Sequence, residues 1–385
     1  MTHYRITIAA FSSMAALAVA GCTTAANQPA PQSAAEALRP YYASLADDLP
    51  QANPGPAIDT SRAISRIAFG SCNHQHRHQT IWSTIAAHNP DLFLMIGDNV
   101  YGDYGYRGEA DLGTFAHAYR LQASYPEFIA FREQVPMLAS WDDHDFGPND
   151  SGGNFAFRER SEQLFESFWG SSDEVRARPG IYDSVMIGPE GERVQIIMLD
   201  TRFFRDPLAT LPYSYERWPR GIYRPTEDPD ATLLGAAQWA WLAEQLAQPA
   251  DLRLIVSSIQ ILTDAHNFEK WGNMPRERER LYDALAARNG GGMVILSGDR
   301  HSGALYHDEP AALGEAVWEL TASSLNFSFA EGDTGDREPD PLRRSGFYSD
   351  ENFGMVEIDW ASGEVGLTLN GANGRSLHSE RIRFR

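Results

Sequence analysis

The chain has 385 residues, a length that allows one large domain or two ordinary ones. Hydrophobic residues make up 43% of the chain and charged residues 22%, which excludes a disordered, collagen-like or coiled-coil protein. The 32 basic and 52 acidic residues give a net charge of −20, so we expect no nucleic-acid binding, which depends on clustered cations. The same composition leaves room for carboxylates that hold metal ions.

The first 22 residues are typical of a bacterial export signal. A short basic start at Arg5 precedes an apolar run over 6–20, which is too short for a comfortable membrane span. The run ends in Val-Ala-Gly before Cys22, and this ending resembles the lipobox, where cleavage precedes a cysteine that receives a lipid. An ordinary signal peptide that carries a cysteine is the alternative. We expect a signal peptide over 1–21 and a periplasmic protein that is attached to a membrane only through lipidated Cys22.

The composition predicts one domain after this leader. Residues 22–62 are rich in Ala, Pro, Gln and Ser and are predicted to be a flexible tether with one short helix over 34–38. Residues 63–385 show no internal repeat and no further shift in composition. We therefore expect a single domain over 63–385, and a monomer.

Six short apolar runs predict strands in this domain. None alternates cleanly between apolar and polar residues, so we expect both faces of each strand to be covered. The runs are 64–69, 92–96, 135–141, 194–199, 252–257 and 293–296. Amphipathic helical patterns between them occupy 80–87, 158–169, 236–246 and 276–287. Strands that alternate with helices predict an α/β fold with a largely parallel core.

Residues whose side chains can bind metals or take part in catalysis follow five of these runs. The loops beyond the carboxyl ends of parallel strands form the binding crevice of an α/β sheet, so we expect these side chains to meet at one edge. They are Cys72 after the first run, Asp98, Tyr101 and Asp103 after the second, Asp142 to Asp145 after the third, Asp200 and Arg202 after the fourth, and Asp299 and His301 after the last.

This set of side chains favours metal binding over a catalytic triad. The Tyr101 phenolate suits ferric iron, a thiolate at Cys72 is a second ligand, and Asp98 can reach the same centre. Asp143 and Asp299 suit a harder divalent ion, calcium or alternatively magnesium or manganese. A buried core cysteine and a stacking aromatic at the rim are the alternatives for Cys72 and Tyr101. A pair of metal ions is suited to phosphate-ester hydrolysis.

The sequence lacks the motifs that some other functional classes require, and further classes would leave candidate site residues without a role. The sequence contains neither the GxSxG elbow of an α/β-hydrolase nor the GxxxxGK[ST] phosphate-binding loop. A cysteine hydrolase built on Cys72 and His144 would leave the carboxylates unused. A non-catalytic envelope lipoprotein that binds a metal or a phosphorylated ligand is the main alternative, and loss of a ligand residue would be its mark.

Five motifs together resemble the PhoD-like (alkaline phosphatase D) metallophosphatases of the calcineurin-like phosphoesterase superfamily. They are RIAFGSC (66–72), GDNVYGD (97–103), WDDHDFGPND (141–150), LDTR (199–202) and SGDRHSG (297–303). The resemblance implies a four-layer αββα sandwich with two mixed sheets flanked by helices. The alternating segment 353–384, broken at Ser362-Gly363 and Asn373-Gly374, is predicted to form antiparallel strands that close the second sheet.

The resemblance also implies a ligand set and an activity. Fe³⁺ would be held by Cys72, Asp98 and Tyr101, with Asp98 as the bridge, and Ca²⁺ by Asp143 and Asp299. The implied activity is hydrolysis of phosphomonoesters or phosphodiesters, lipid head groups included. Together with the export signal, we expect this activity outside the cytoplasm, where it would suit phosphate scavenging.

Three further site residues receive roles. The resemblance makes His144 the proton donor to the leaving oxygen and brings His301 to the metal or to the phosphoryl group. Arg202 would clamp a phosphate through its guanidinium, or pair structurally with Asp200, which we expect to cap or pair rather than to bind metal.

Several other features stay open between a functional and a structural interpretation. His74, His76 and His78 are expected to be solvated or to lie at the rim, and His266 is either a ligand or a structural histidine. The long loop 203–231 either lines a groove for an organic leaving group or packs down onto the domain. Its candidate aromatic residues are Phe203, Tyr213, Trp218 and Tyr223. The acidic loop 330–350 is expected to be solvated.

Overall fold

The computed structural model describes residues 34–212, 221–328, 335 and 338–384. The predicted signal peptide, Cys22, Tyr213 and Trp218 therefore lie outside the described residues, as does most of the 330–337 stretch of the acidic loop. Among the described residues, none of the helices combines the length and the apolar character that a membrane span requires.

Twelve strands of the described residues form two six-stranded sheets. The first half of the chain supplies β1 (Arg66–Gly70), β2 (Leu92–Ile96), β3 (Met137–Ser140), β4 (Asp183–Ile187), β5 (Val194–Met198) and β6 (Leu252–Ser257). The second half supplies β7 (Gly292–Ser297), β8 (Gly303–Asp308), β9 (Val317–Ala322), β10 (Asn352–Asp359), β11 (Glu364–Gly371) and β12 (Ser376–Arg383). The strand order is β12-β11-β10-β1-β2-β3 in the first sheet and β4-β5-β6-β7-β9-β8 in the second.

Both sheets are mixed. β1, β2 and β3 are parallel to one another, while β10, β11 and β12 add to β1 as antiparallel strands. In the second sheet β5, β6, β7 and β9 are parallel, and β4 and β8 are antiparallel edges. The carboxyl ends of the parallel strands therefore define one functional edge in each sheet.

Helices cover the outer face of each sheet. The α-helices of the described residues are α1 (Ala34–Ser44), α2 (Ile81–Ala87), α3 (Gly113–Ala123), α4 (Pro126–Arg132), α5 (Asp143–Phe146), α6 (Arg158–Trp169), α7 (Asp173–Arg176), α8 (Gly235–Leu246) and α9 (Pro275–Ala286). Apolar side chains of α2, α3, α4 and α6 pack on the first sheet, those of α8 and α9 pack on the second, and a third apolar layer lies between the sheets. The predicted sandwich of two mixed sheets between helices is confirmed.

The apolar runs have the double burial that their composition predicts. In β2, Leu92, Leu94 and Ile96 face the second sheet, whereas Phe93 and Met95 face the helices. The bounds predicted for β2, β6 and α6 match the structure. The two strands are bounded by turn or polar residues on both sides, and α6 ends at Gly170, so these ends can be located from the sequence.

The C-terminal strands differ from the prediction in one respect. Their turns fall at Ser362-Gly363 and Asn373-Gly374 as expected, but β10 pairs with β1, so the three strands extend the first sheet and do not close the second. The pairing partner of a hairpin is decided by long-range packing, which the local alternation pattern does not encode.

The described part of the predicted tether lies against the domain. Helix α1 runs to Ser44, six residues beyond its predicted end, and its Tyr42 side chain is buried. The Ala52 N–H donates a 3.2 Å hydrogen bond to the Phe168 carbonyl oxygen, and the Gly188 N–H donates one of 3.0 Å to that of Thr60. These contacts contradict a flexible tether over 34–62.

Candidate metal centre

Left-handed turns place three of the candidate ligands at the sheet edges. Cys72, Asp98 and Asp299 each stand two residues after the end of a strand, with φ angles of 59°, 50° and 68°. His301 follows in the same conformation, with a φ of 51°. Non-glycine residues rarely adopt a positive φ, and such backbone strain concentrates at functional sites. The repeated geometry turns each side chain over the carboxyl end of its strand.

Two glycines let the loops of the two sheets touch beside these turns. A Cβ atom on Gly97 would lie 2.7 Å from Cβ of Asp142 and 3.1 Å from Cβ of Ser258. One on Gly298 would lie 2.6 Å from Oγ of Ser71. Since real side chains do not approach so closely, glycine is required at both positions. The edges of the two sheets thereby combine into one site.

The first group of candidate ligands joins four chemical types. Ligand atoms of Cys72, Asp98 and His301 all lie within 4.8 Å of one another, and the three side chains are buried. The Tyr101 hydroxyl donates a 2.9 Å hydrogen bond to Oδ2 of Asp98 and lies 3.4 Å from Nε2 of His301. A thiol, a phenol, a carboxyl and an imidazole thus converge, all four from residues that the sequence singles out.

Two further groups overlap with the first. Asp98, Asp143 and His144 form one, and Asp142, Asp143 and Asp299 form the other, each within the same 4.8 Å. Asp98 belongs to the first and second groups, and Asp143 to the second and third. The candidate ligands therefore form one continuous cluster and not separate sites.

The electrostatics of the cluster fit bound cations. Burial raises the pKa of Asp98 well above its usual value, with Asp143 adding to the shift and His144 opposing it. Burial, Asp142 and Asp143 together raise the pKa of Asp299 in the same way. Oδ1 of Asp98 and Oδ2 of Asp142 are buried and have no hydrogen-bond partner among the described residues. Buried, unpartnered carboxylates are unfavourable unless a cation compensates them, so this donor set fits metal ions.

The softer donors need the same compensation. Burial, followed by the neighbouring Asp98, raises the pKa of both the Cys72 thiol and the Tyr101 hydroxyl. Burial lowers the pKa of His301 to about 3, which keeps its imidazole in the neutral form that binds metals. A nearby metal cation reverses the shift for a thiol or a phenol by stabilising its anion.

His144 lies among acidic side chains that favour its protonated form. Burial lowers the pKa of its imidazole, but Asp143, Asp98 and Asp103 outweigh burial and raise the pKa well above the usual value. Its Nδ1 lies 2.9 Å from Oδ1 of Asp103. The orientation of the ring by Asp103 is not evident from the sequence, although Asp103 stands in the GDNVYGD motif.

The Arg202 side chain is not accessible from the solvent-facing side of the site. It is completely buried, its Nε donates a 2.6 Å hydrogen bond to Oδ1 of Asp142, and its Nη1 lies 2.5 Å from Oε2 of Glu269. This geometry corrects both predictions made for Arg202, the phosphate clamp and the pair with Asp200, because the guanidinium is already occupied by two other carboxylates. Asp200 instead caps its loop, accepting hydrogen bonds from Nε1 of Trp141 and from the Arg202 N–H.

A fourth acidic group lies beside the cluster, and the sequence analysis did not find it. Ligand atoms of Asp143, Asp150 and Glu269 lie within 4.8 Å of one another. The Asp150 N–H donates a 2.7 Å hydrogen bond to Oδ2 of Asp143. Asp150 ends the WDDHDFGPND motif, which is a signal that could have been followed. Glu269 stands in a loop without any motif and gives no such signal.

The remaining histidine predictions resolve as follows. His74 is buried and its ring stacks on that of Tyr101, with centroids 4.9 Å apart, while His76 and His78 are exposed. Nε2 of His266 lies 3.0 Å from Oε1 of Gln260, and its Nδ1 accepts a hydrogen bond from the Phe268 N–H. His266 is therefore structural.

The described parts of the two long loops pack onto the domain. Phe203 is buried, and the Tyr223 hydroxyl donates a 2.7 Å hydrogen bond to Oδ2 of Asp150. In the acidic loop, Glu338 accepts a 2.6 Å hydrogen bond from Nη2 of Arg300, so this part is anchored and not simply solvated.

The fold and the cluster define an α/β sandwich protein with a candidate metal centre at the joined edges of its two sheets. A family model described as PhoD-like phosphatase matches residues 67–369. Because the match spans well over half of the chain, the chain belongs to the PhoD-like phosphatase family.

Two similar proteins support this assignment. Alkaline phosphatase D from Bacillus subtilis (strain 168) is 24% identical over 293 residues, which are 65% of this chain and 47% of that protein. The chain thus spans about half the length of this curated relative. A solved structure titled "Structure of PhoD" superposes with a TM-score of 0.63 at 19% identity, over 84% of this chain and 70% of the other, and shows that the fold is shared.

Proposed function

We propose that the chain hydrolyses phosphomonoesters or phosphodiesters at a binuclear metal centre. The observation that carries the proposal is the continuous cluster of buried ligand atoms that share Asp98 and Asp143. Membership of the PhoD-like phosphatase family supports phosphoester hydrolysis and metal dependence. Every position at which the resemblance requires a ligand carries a side chain able to bind, which favours an enzyme over a non-catalytic binder.

In this proposal the two kinds of donor select two ions. Cys72, Asp98 and Tyr101 would hold Fe³⁺, because thiolate and phenolate donors suit a highly charged transition metal. Asp143 and Asp299 would hold Ca²⁺, or alternatively Mg²⁺ or Mn²⁺, because their donors are all oxygens. When bound, such ions supply positive charge that neutralises the phosphoryl group and makes a nearby water more acidic.

The protein itself supplies a proton to the leaving group. The carboxylates of Asp143, Asp98 and Asp103 favour the protonated form of His144, and Asp103 engages its Nδ1, so Nε2 is the atom that is left to donate to the leaving oxygen. Arg202 holds Asp142 within the cluster, and its Nη2 lies 3.7 Å from Oδ1 of the neighbouring Asp143. His301 stands beside Tyr101, where it could contact the metal or the phosphoryl group.

We further propose that the protein acts on the periplasmic side of the envelope, anchored by a lipid on Cys22, where it would release phosphate for uptake. The lipobox-like ending of the leader supports this location. Membrane fractionation of the full chain and of Cys22→Ser, expressed in the same bacterial host, tests the anchor. Recovery of both forms in the membrane fraction would contradict it.

The activity is tested on protein purified after native export. We expect close to one equivalent of iron, a purple-to-blue absorption band that Tyr101→Phe abolishes, and hydrolysis of bis-p-nitrophenyl phosphate or p-nitrophenyl phosphate that a chelator removes. Asp98→Asn should lose both the metal and the activity. The matched change Asp230→Asn, at an exposed aspartate, should lose neither. A colourless protein without transition metal and without calcium-dependent activity would refute the binuclear proposal.

A further inference from the structure

An exposed tyrosine stands at the mouth of the metal cluster. Tyr104 is 52% exposed, whereas Tyr101, three residues earlier, is 1% exposed. Most large aromatic side chains of the described residues are buried or partly buried, whereas the ring of Tyr104 is accessible from solvent beside the candidate site. Small-molecule sites are lined predominantly by hydrophobic and aromatic side chains, and Tyr104 offers such a surface.

Neighbouring rings fix the position of Tyr104. Its ring meets those of His74, Tyr101 and His144 edge-on, with centroid distances of 5.1, 5.5 and 5.9 Å. Edge-on contacts at these distances are favourable and restrain the ring before any ligand arrives. A ligand that packs on Tyr104 would therefore lose little free energy in ordering the side chain.

Phe327 is a second aromatic residue at the rim of the site, but less of its ring is free to contact a ligand. Phe327 contacts Tyr101 and His301 edge-on, both at 4.8 Å, but the guanidinium of Arg77 lies 4.2 Å above the centre of the Phe327 ring. One face of Phe327 is thus covered by a cation. Among the described residues, no guanidinium or ammonium group lies over the ring of Tyr104, which is also the more exposed of the two rings, so Tyr104 offers the more accessible aromatic surface.

The position of Tyr104 relative to His144 indicates which part of a substrate would contact the Tyr104 ring. A proton donor must come within hydrogen-bond distance of the leaving oxygen. The ring of Tyr104 is one contact away from that of His144, and Asp103, which orients His144, is its neighbour in the chain. The group attached to the leaving oxygen would therefore lie along Tyr104.

We propose that Tyr104 is a specificity residue that favours phosphate esters whose leaving alcohol carries a planar aromatic ring. The inference rests on the proposed function, because it uses His144 as the donor to the leaving oxygen. Tyr104 packs against the organic part of the leaving group and does not take part in bond breaking. The phosphoryl group itself is recognised at the metal cluster, so the tyrosine discriminates between leaving groups.

The test compares phenyl phosphate with propyl phosphate on the metal-loaded protein. The ratio of kcat/KM for the two esters should fall about five- to tenfold in Tyr104→Ala, the range that a lost aromatic contact corresponds to. Tyr104→Phe should keep the wild-type ratio, because the ring is retained. Tyr41→Ala, a change at another exposed tyrosine, controls for loss of a surface ring. A ratio in Tyr104→Ala within twofold of wild type would overturn the inference.

A binding measurement separates this inference from the proposed function. Phenylphosphonate and propylphosphonate cannot release an alcohol, so calorimetric titration measures recognition even if the protein hydrolyses neither ester. We expect wild type to bind phenylphosphonate more tightly than propylphosphonate and Tyr104→Ala to lose this difference. Equal affinity of wild type for both would overturn the role of Tyr104. Absence of hydrolysis together with a preserved difference would refute only the esterase proposal.

Discussion

Nδ1 of His144 lies 2.9 Å from Oδ1 of Asp103, and both side chains are almost fully buried. An aspartate in this position fixes the orientation of the imidazole and stabilises its protonated form. His144 follows β3 and Asp103 follows β2, so neighbouring strands of the first sheet provide the pair. This arrangement suits a histidine that must donate a proton from its other nitrogen.

The first prediction concerns this pair. Asp103→Asn should lower kcat for an alkyl phosphate by about ten- to a hundredfold, because general acid catalysis of this type contributes about 10²–10⁴ and part of it remains when the donor is only misoriented. Hydrolysis of p-nitrophenyl phosphate should change much less, since nitrophenolate leaves without a proton. Steady-state kinetics on both esters measure the contrast.

His144→Gln and the double variant serve as controls for the same prediction. The double variant should be no slower than His144→Gln, because Asp103 acts only through the histidine. Equal losses of Asp103→Asn on both esters, or additive losses in the double variant, would show that Asp103 has a separate role.

The second prediction follows from the buried guanidinium of Arg202. Arg202→Met should reduce the free energy of unfolding by about 3–5 kcal/mol, because it leaves the buried Asp142 carboxylate without its ion-pair partner and leaves the buried Glu269 carboxylate with Arg205 alone. Arg62→Ala removes a largely exposed partner of Asp91 and should change it by less than about 1 kcal/mol. Urea unfolding measures both. A normally stable Arg202→Met with only a raised KM would instead restore the phosphate clamp.

The fold can be predicted from the sequence where the buried positions carry apolar residues. The bounds of β2 follow from a run of residues that are all apolar and all buried. β9 is different, because it carries Glu319 in its buried middle. That carboxylate accepts hydrogen bonds from the N–H groups of Ile261 and Leu262. A strand whose core contains a satisfied acid does not look like a core strand in the sequence.

The candidate site divides in a similar way. Cys72, Asp98 and Asp299 follow strands directly, so the position of the strand predicts where the side chain goes. Glu269 and Phe327 come from loops whose paths depend on packing across the whole domain. No local sequence pattern predicts that the Arg202 side chain pairs with Glu269 and not with Asp200. Candidate ligands at strand ends can therefore be predicted from the sequence, whereas the residues that support these ligands cannot.

The third prediction uses the chain of contacts from the 203–231 loop to the proposed calcium site. Tyr223 holds Asp150, whose N–H holds Asp143. Tyr223→Phe should weaken calcium binding by about tenfold, the lower range for loss of a group that orients a metal ligand. The iron content should stay at the wild-type level. Calorimetric titration with calcium measures the effect, with Tyr41→Phe as the control, and an unchanged affinity would mean that Asp143 is held without the loop.

The last prediction concerns the dependence of stability on pH. Burial, with smaller contributions from Arg300 and Lys270, lowers the pKa of His266 well below its usual value of 6.5. The unfolded chain therefore binds a proton as the pH falls below about 6.5, whereas the folded chain does not, so acid favours unfolding. The free energy of unfolding should fall by up to about 1.4 kcal/mol per pH unit from this group.

His266→Gln isolates this contribution, because glutamine does not titrate. Urea unfolding between pH 8 and pH 5 should show a shallower loss of stability in His266→Gln than in wild type. His78→Gln, a change at an exposed histidine, should keep the wild-type slope. Burial also raises the pKa of Asp142 to about 6 and that of Asp150 to about 7, so the comparison is made at saturating metal, where these groups contribute equally to all three proteins. Identical slopes in wild type and His266→Gln would mean that the folded protein accommodates the protonated ring, through movement of the Gln260 side chain that its Nε2 contacts.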